Sequence, residues 1–199
     1  MIVIGLTGSI AMGKSTAAAM FRRSGVSVYD ADRAVHRLMG RHGAAIPAVA
    51  EAFPGTVRDG AIDRSALAQR VFADDKALDR LENLLHPLIY REMRTFLRHS
   101  RRQGRDVVVL DVPLLLETGG EALCDLVAVV SAPKRIQAER LARRHGLDAA
   151  RIGAIAARQM SDREKRVRAD VVIPTGLGKA PTMRAIRRLI DSVRSDSNT

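Results

Sequence analysis

Tryptophan is absent from this chain, and aromatic side chains make up only 3% of its 199 residues. A core must therefore be filled by Leu, Ile, Val, Ala and Met. There is no interleaving of aromatics with basic residues, the arrangement on which single-stranded nucleic acid stacks. The single cysteine, Cys124, rules out an internal disulfide and fits a reducing compartment. It lies beside an apolar strand and reads as a small core residue rather than a nucleophile. No apolar run approaches the length of a membrane span, so no membrane association is expected. The N-terminus leads straight into an apolar segment without the pattern of a secretory signal. A cytoplasmic protein is the expectation, and no zinc-ligand spacing is visible.

Lysine is scarce, at positions 14, 76, 134, 165 and 179 only, yet the formal net charge is +11 because arginine is abundant. Such a charge raises the question of nucleic-acid binding. The basic residues are scattered along several helical stretches rather than gathered in one tail, so the expected partner is a polyanionic small molecule and not nucleic acid. Arg suits bidentate phosphate recognition, and net positive charge steers anions.

What the chain does contain is concentrated near its start. Gly8-Ser9-Ile10-Ala11-Met12-Gly13-Lys14-Ser15 fits G-x-x-x-x-G-K-[ST], the phosphate-binding P-loop. The preceding run, Ile2–Thr7, is apolar and β-branched, as a buried parallel strand should be. The following run reads as a helix that ends at Gly25. Backbone N–H groups of such a loop point at phosphate oxygens. Lys14 would reach the β- and γ-phosphates, the Ser15 hydroxyl would ligate Mg²⁺, and Thr16 would add a phosphate contact. The alternative is an ordinary glycine turn ahead of a helix.

Five strand candidates alternate with helical stretches: Ile2–Thr7, Val26–Asp30, Asp106–Asp111, Asp125–Ser131 and Asp170–Ile173. The expected architecture is α/β, a P-loop NTPase fold with a five-stranded parallel sheet flanked by helices. The expected layout is a single P-loop domain: core 1–30, 104–132 and 169–199, a helical substrate-binding insertion at about 31–103, and a helical lid at about 133–168. In the insertion, Asp63 and Asp74 read as helix N-caps, and Pro87 as the first turn of a helix running to about Gln103. In the lid, helices are expected at about Pro133–Arg144 and Asp148–Gln159 around Gly146, followed by a capping box at Ser161–Glu164. The final helix is expected at about Pro181–Arg194.

Ligands in such sheets collect at the carboxyl ends of the strands. There, Val107–Asp111 has the form of a Walker B strand, and Asp111 is a candidate metal contact. Its alternative role is a polar residue leaving a strand. Asp30-Ala31-Asp32 closes the second strand. One carboxylate could be a general base, or either could cap a helix. Leu85-His86-Pro87 reads as a turn that could face substrate, although a lone His is more often structural. Arg140 and Arg144 share a helix face at i, i+4, a spacing that suits two guanidinium groups on a triphosphate and that is also common on solvated faces.

Taken together these segments resemble the dephospho-coenzyme A kinase family. The matching pieces are Ile4–Ile10 running into Gly13–Thr16, Asp30-Ala31-Asp32, Leu84–Ile89, Val112–Glu117, Glu139-Arg140 with Arg144, Ala156–Ser161 and Ala169–Ile173. The likeness spans residues 1 to about 178. It implies an ATP- and Mg²⁺-dependent transfer of the γ-phosphate to the ribose 3′-hydroxyl of dephospho-coenzyme A. By this resemblance Asp32 is the base, and His86, Pro87, Leu115 and Glu117 line the acceptor site together with Asp32. Arg140 and Arg144 sit on the lid over ATP. One departure is Pro174-Thr175, where the family often has Asp-Asn, which puts a side-chain amide contact near the adenine in question. The alternatives are a nucleoside or nucleotide kinase of the same fold and a basic nucleic-acid-binding P-loop NTPase. A monomer or weak homo-oligomer is expected.

Overall fold

The computed structural model describes residues 1–71, 74–143, 153 and 156–196. The chain divides into two compact units, one of Met1–Tyr29 with Ser100–Thr199 and one of Asp30–His99.

The first unit is built on a sheet. Its strands are β1 (Ile2–Thr7), β2 (Ser27–Asp30), β5 (Val107–Asp111), β6 (Leu126–Ser131) and β7 (Val171–Pro174), in the order β2-β5-β1-β6-β7. β1 runs parallel to both β5 and β6, and β6 runs parallel to β7. Four expected strands begin one residue later than the sequence indicates, at Ser27, Val107, Leu126 and Val171, and before the last three an aspartate does a different job. Asp125 accepts the Val3 N–H and Asp170 accepts the Val127 N–H, both at 2.7 Å, and Asp106 accepts the Val107 N–H at 2.8 Å. Each carboxylate satisfies an amide at the mouth of the sheet, so these residues are caps and not strand members.

Alternation along the strands sorts the core into two faces. Ile4, Leu6, Val107, Val109, Ala128 and Val130 pack with Ala17, Ala18, Met20 and Phe21 of α1 (Lys14–Arg23). Ile186, Leu189, Ile190 and Val193 of the last helix close the same layer. On the opposite face, Val127 and Val129 pack with Leu115, Leu116 and the half-buried Cys124. α6 (Lys134–Ala142), α7 (Asp162–Val167) and α8 (Lys179–Asp196) also belong to this unit, with a 3₁₀ turn at Gly120–Leu123. α7 starts on the expected capping box, with Ser161 and Glu164 bonded reciprocally. α8 is longer at both ends than the sequence indicates. The expected helix at 148–159 and the turn at Gly146 lie largely outside the described residues.

The second unit holds α2 (Ala31–Met39), α3 (Ile46–Ala52), α4 (Arg64–Val71) and α5 (Asp75–Arg102) as far as His99. Leu38, Val49, Phe53, Ile62, Leu67, Leu81 and Leu85 form its core. Asp63 caps α4 through bonds from the Ser65 and Ala66 amides, and Asp74 accepts the Lys76 N–H. Two features depart from the expectation. An antiparallel hairpin, β3 (Val57–Arg58) and β4 (Ala61–Ile62), interrupts the helices. Its turn is Asp59-Gly60, with φ of 50° and 72°, the left-handed pair that two-residue hairpins need. Pro87 lies inside α5 and does not start it, so Leu85-His86-Pro87 is a helical stretch and not a turn. Proline removes the donor to the carbonyl four residues back. That carbonyl belongs to Asn83, which is exposed and within reach of water.

Among the described residues no helix is long and apolar enough to cross a membrane. Phe21 is the largest fully buried side chain among the described residues, so Phe21→Ala should lower unfolding free energy by about 3–5 kcal/mol, read as a lower urea midpoint at unchanged slope. Burial, with Asp125 and Glu121 nearby, pushes the Cys124 thiol up to about 12. Its reaction with a disulfide reagent at pH 8 should therefore be roughly 10³-fold slower in the native protein than in the unfolded chain.

Candidate functional site

The site grows from the end of β1, where the chain leaves the sheet at Thr7 and re-enters regular structure at Lys14. Between them the loop takes two left-handed residues, Ala11 at φ 62° and Gly13 at φ 96°. Gly13 suits that conformation, and a Cβ there would also crowd the Thr175 hydroxyl at 3.1 Å. Ala11 occupies it at a steric disadvantage, so the surroundings must hold it.

They do so through the carbonyls. Arg140 on α6 donates to the Ala11 carbonyl at 3.2 Å and to the Thr175 hydroxyl and carbonyl at 3.2 and 2.6 Å. The Thr175 hydroxyl bonds the Met12 carbonyl at 2.5 Å and the Ser131 carbonyl at 3.2 Å. Gln137 donates to the Ile10 carbonyl, and Gln159 accepts the Ile10 N–H, both at 2.9 Å. Ser9 donates to the Met160 carbonyl at 3.3 Å. Lys14, Ser15 and Thr16 form the first turn of α1. Ser15 and Thr16 are exposed.

Lys14 and Asp111 are paired at 2.8 Å, with side chains 14% and 5% exposed. The β5 carboxylate thus meets the P-loop ammonium directly. Oxygen donors are what Mg²⁺ requires, and the Ser15 hydroxyl and Asp111 carboxylate supply two. Among the described residues there is no group of three or more His, Cys, Asp or Glu that could hold a metal. Such a donor set fits an ion carried in on phosphate oxygens rather than one held by protein alone.

The other expected site residues fall as follows. Asp30 caps α2 by accepting the Arg33 N–H at 3.0 Å, whereas Asp32 is exposed in the first turn of that helix. His86 is half-buried and Pro87 exposed on α5. Leu115 is 0% exposed and packs behind β1 against the Gly5 position, so it backs the sheet rather than presenting a surface. Glu117 accepts from the Met160 N–H at 2.8 Å and pairs with Lys165 at 2.9 Å. Arg144 lies outside the described residues.

Sequence reasoning missed Gln137, Thr175 and Lys165 as members of this constellation. Thr175 was visible as the departure at Pro174-Thr175, but its bond to the P-loop joins positions far apart in the chain. Lys165 carried one signal, its place inside a capping-box helix, which does not show that its ammonium turns inward.

The dephospho-CoA kinase (CoaE) family profile matches residues 2–177. A protein of Rhodospirillum rubrum named dephospho-CoA kinase is 55% identical over 98% of this chain and 92% of its own. The solved structure of TT1252 from Thermus thermophilus superposes with a TM-score of 0.82 at 34% identity, covering 96% of each chain. The dephospho-CoA kinase of Campylobacter jejuni shares the fold, with a TM-score of 0.73 at 23% identity over 98% of each chain. With a family match over nearly its whole length and a relative identical at more than half of the aligned positions, this chain belongs to the dephospho-CoA kinase family.

Proposed function

We propose that the protein transfers the γ-phosphate of ATP to the 3′-hydroxyl of the dephospho-coenzyme A ribose, giving coenzyme A and ADP. The observation that carries this reading is the braced P-loop with its Lys14–Asp111 pair, in a chain of this family. The bond from the γ-phosphorus to its bridging oxygen breaks, a bond from the 3′-oxygen forms, and the hydroxyl proton goes to a base.

Each residue then has a task. Phosphate oxygens draw the Lys14 ammonium from Asp111 and offset the charge carried through transfer. Ser15 and Asp111 are the residues that would hold Mg²⁺, which supplies charge neutralisation between the phosphates. The loop from Gly8 to Thr16 seats the triphosphate. Arg140 rests on the Ala11 carbonyl, where its guanidinium serves the same nucleotide, and Arg144 belongs to the same reading. Asp32 is the base for the acceptor hydroxyl. Two facts support Asp32 over Asp30: it is exposed, and the Asp30 carboxylate is engaged as a helix cap. His86, Pro87, Leu115 and Glu117 belong to acceptor binding by family resemblance. The insertion at 31–103 as acceptor-binding part, the lid at 133–168, a cytoplasmic setting and a monomer or weak homo-oligomer complete the proposal.

Incubation with ATP, Mg²⁺ and dephospho-coenzyme A should yield coenzyme A and ADP by mass, and phosphorylation of a nucleoside or nucleotide panel instead would reassign the acceptor. Lys14→Ala should reduce turnover by at least roughly 10²- to 10³-fold, with the circular dichroism of the folded protein retained; near-normal turnover would remove the phosphate role from Lys14. Asp32→Asn should slow transfer by roughly 10²- to 10⁴-fold with ATP affinity unchanged, and an unaltered rate would leave Asp32 a surface residue of α2.

A further inference from the structure

Lys165 is a lysine with no exposed surface, a rarity that requires partners for every N–H. It has them. Its ammonium lies 2.9 and 3.2 Å from the two Glu117 carboxylate oxygens, 3.1 Å from the Pro113 carbonyl and 3.3 Å from the Thr7 hydroxyl. The Thr7 hydroxyl in turn donates to the same Pro113 carbonyl at 2.9 Å.

These partners belong to the ends of the strands that frame the P-loop. Thr7 is the last residue of β1, directly before Gly8. Pro113 follows two residues after Asp111, the residue paired with Lys14. Glu117 holds the Met160 N–H at 2.8 Å, and the Met160 carbonyl and the neighbouring Gln159 bond Ser9 and Ile10. One buried ammonium therefore ties the exits of β1 and β5 together, and through Glu117 it also fixes the segment that grips the first half of the loop.

We propose that the Lys165–Glu117 pair is a positioning device for the P-loop, setting where Thr7, Pro113 and Met160 stand and so where the phosphate-binding turn begins. Neither residue need touch nucleotide for this. A buried pair is weak evidence for stability as such, because apolar replacements of both partners are often neutral. What such replacements cannot reproduce is the set of bonds from Nζ to the Thr7 hydroxyl and the Pro113 carbonyl. The kinetic readout rests on the phosphoryl-transfer reading above, whereas the nucleotide-binding readout needs only the P-loop.

The test compares Lys165→Met with the double variant Lys165→Met/Glu117→Met in the full chain, well below either unfolding midpoint. The measurements are thermal midpoint, affinity for a fluorescent ADP analogue with Mg²⁺, and kcat for coenzyme A formation. Lys165→Met strands the Glu117 charge, so it should lower the midpoint, weaken ADP binding and cut kcat by roughly 10- to 100-fold. The double variant should recover most of the midpoint while ADP affinity and kcat stay near those of the single variant. If the double variant regains wild-type ADP affinity along with its midpoint, or if either variant binds and turns over like wild type, the positioning role is overturned. If Lys165→Met does not fold, Thr7→Val serves: it removes only the hydroxyl between Nζ and the Pro113 carbonyl. Weaker ADP binding in that variant upholds the role, and unchanged affinity overturns it. A wild-type protein that binds ADP but makes no coenzyme A overturns the acceptor assignment instead, and the ADP arm still decides the positioning role.

Discussion

A loop that turns its amides toward an anion has to turn its carbonyls toward protein. The rest of the first unit answers that requirement. The carbonyls of Ile10, Ala11 and Met12 are taken by Gln137, Arg140 and Thr175, from α6 and from the residue that follows β7. The left-handed Ala11 is stable only inside this frame. The hydrogen bonds behind the loop therefore fix its shape as much as the motif itself does. The order of the sheet follows from the same need, since β1 lies between β5, which brings Asp111, and β6, which leads into α6.

The parts of this protein that were legible in sequence are those set by local chemistry. The P-loop, β1 and the Ser161 capping box each need only their own few residues to be specified, and each stands where the pattern puts it. Asp30 and Asp32 were distinguishable only as two carboxylates; the bond from the Arg33 amide separates them. The aspartates before β5, β6 and β7 looked like strand residues because nothing local shows that a carboxylate will turn to a neighbouring amide. Pro87 follows the rule for helix starts, yet the buried Leu81 and Leu85 before it and Met93 after it keep one helix running through. The Asp59-Gly60 hairpin had a recognised turn signal, but strands of two residues carry no alternation to support it.

What stayed hidden was tertiary. In a chain with net charge +11 one more lysine draws no notice, and only the fold shows that Lys165 points inward. The same holds for Thr175, where the sequence displays a departure from the family pattern but not the hydroxyl's two carbonyl partners. Arg140 gains a second reading from the structure. Besides the nucleotide role proposed for it, it closes a circuit between α6, the loop and the residue after β7, so its side chain is already ordered beside the loop.

On the phosphoryl-transfer reading proposed above, the Lys14–Asp111 pair has a consequence for selectivity. Asp111 holds the place of an anion beside the ammonium, at 2.8 Å. A ligand would have to out-compete this nearly buried carboxylate before Lys14 turned to it. A polyphosphate bearing several charges would meet that threshold more readily than a lone phosphate or a stray carboxylate. On that reading the pair would act as a charge filter in a protein whose net charge of +11 gathers small anions by simple attraction.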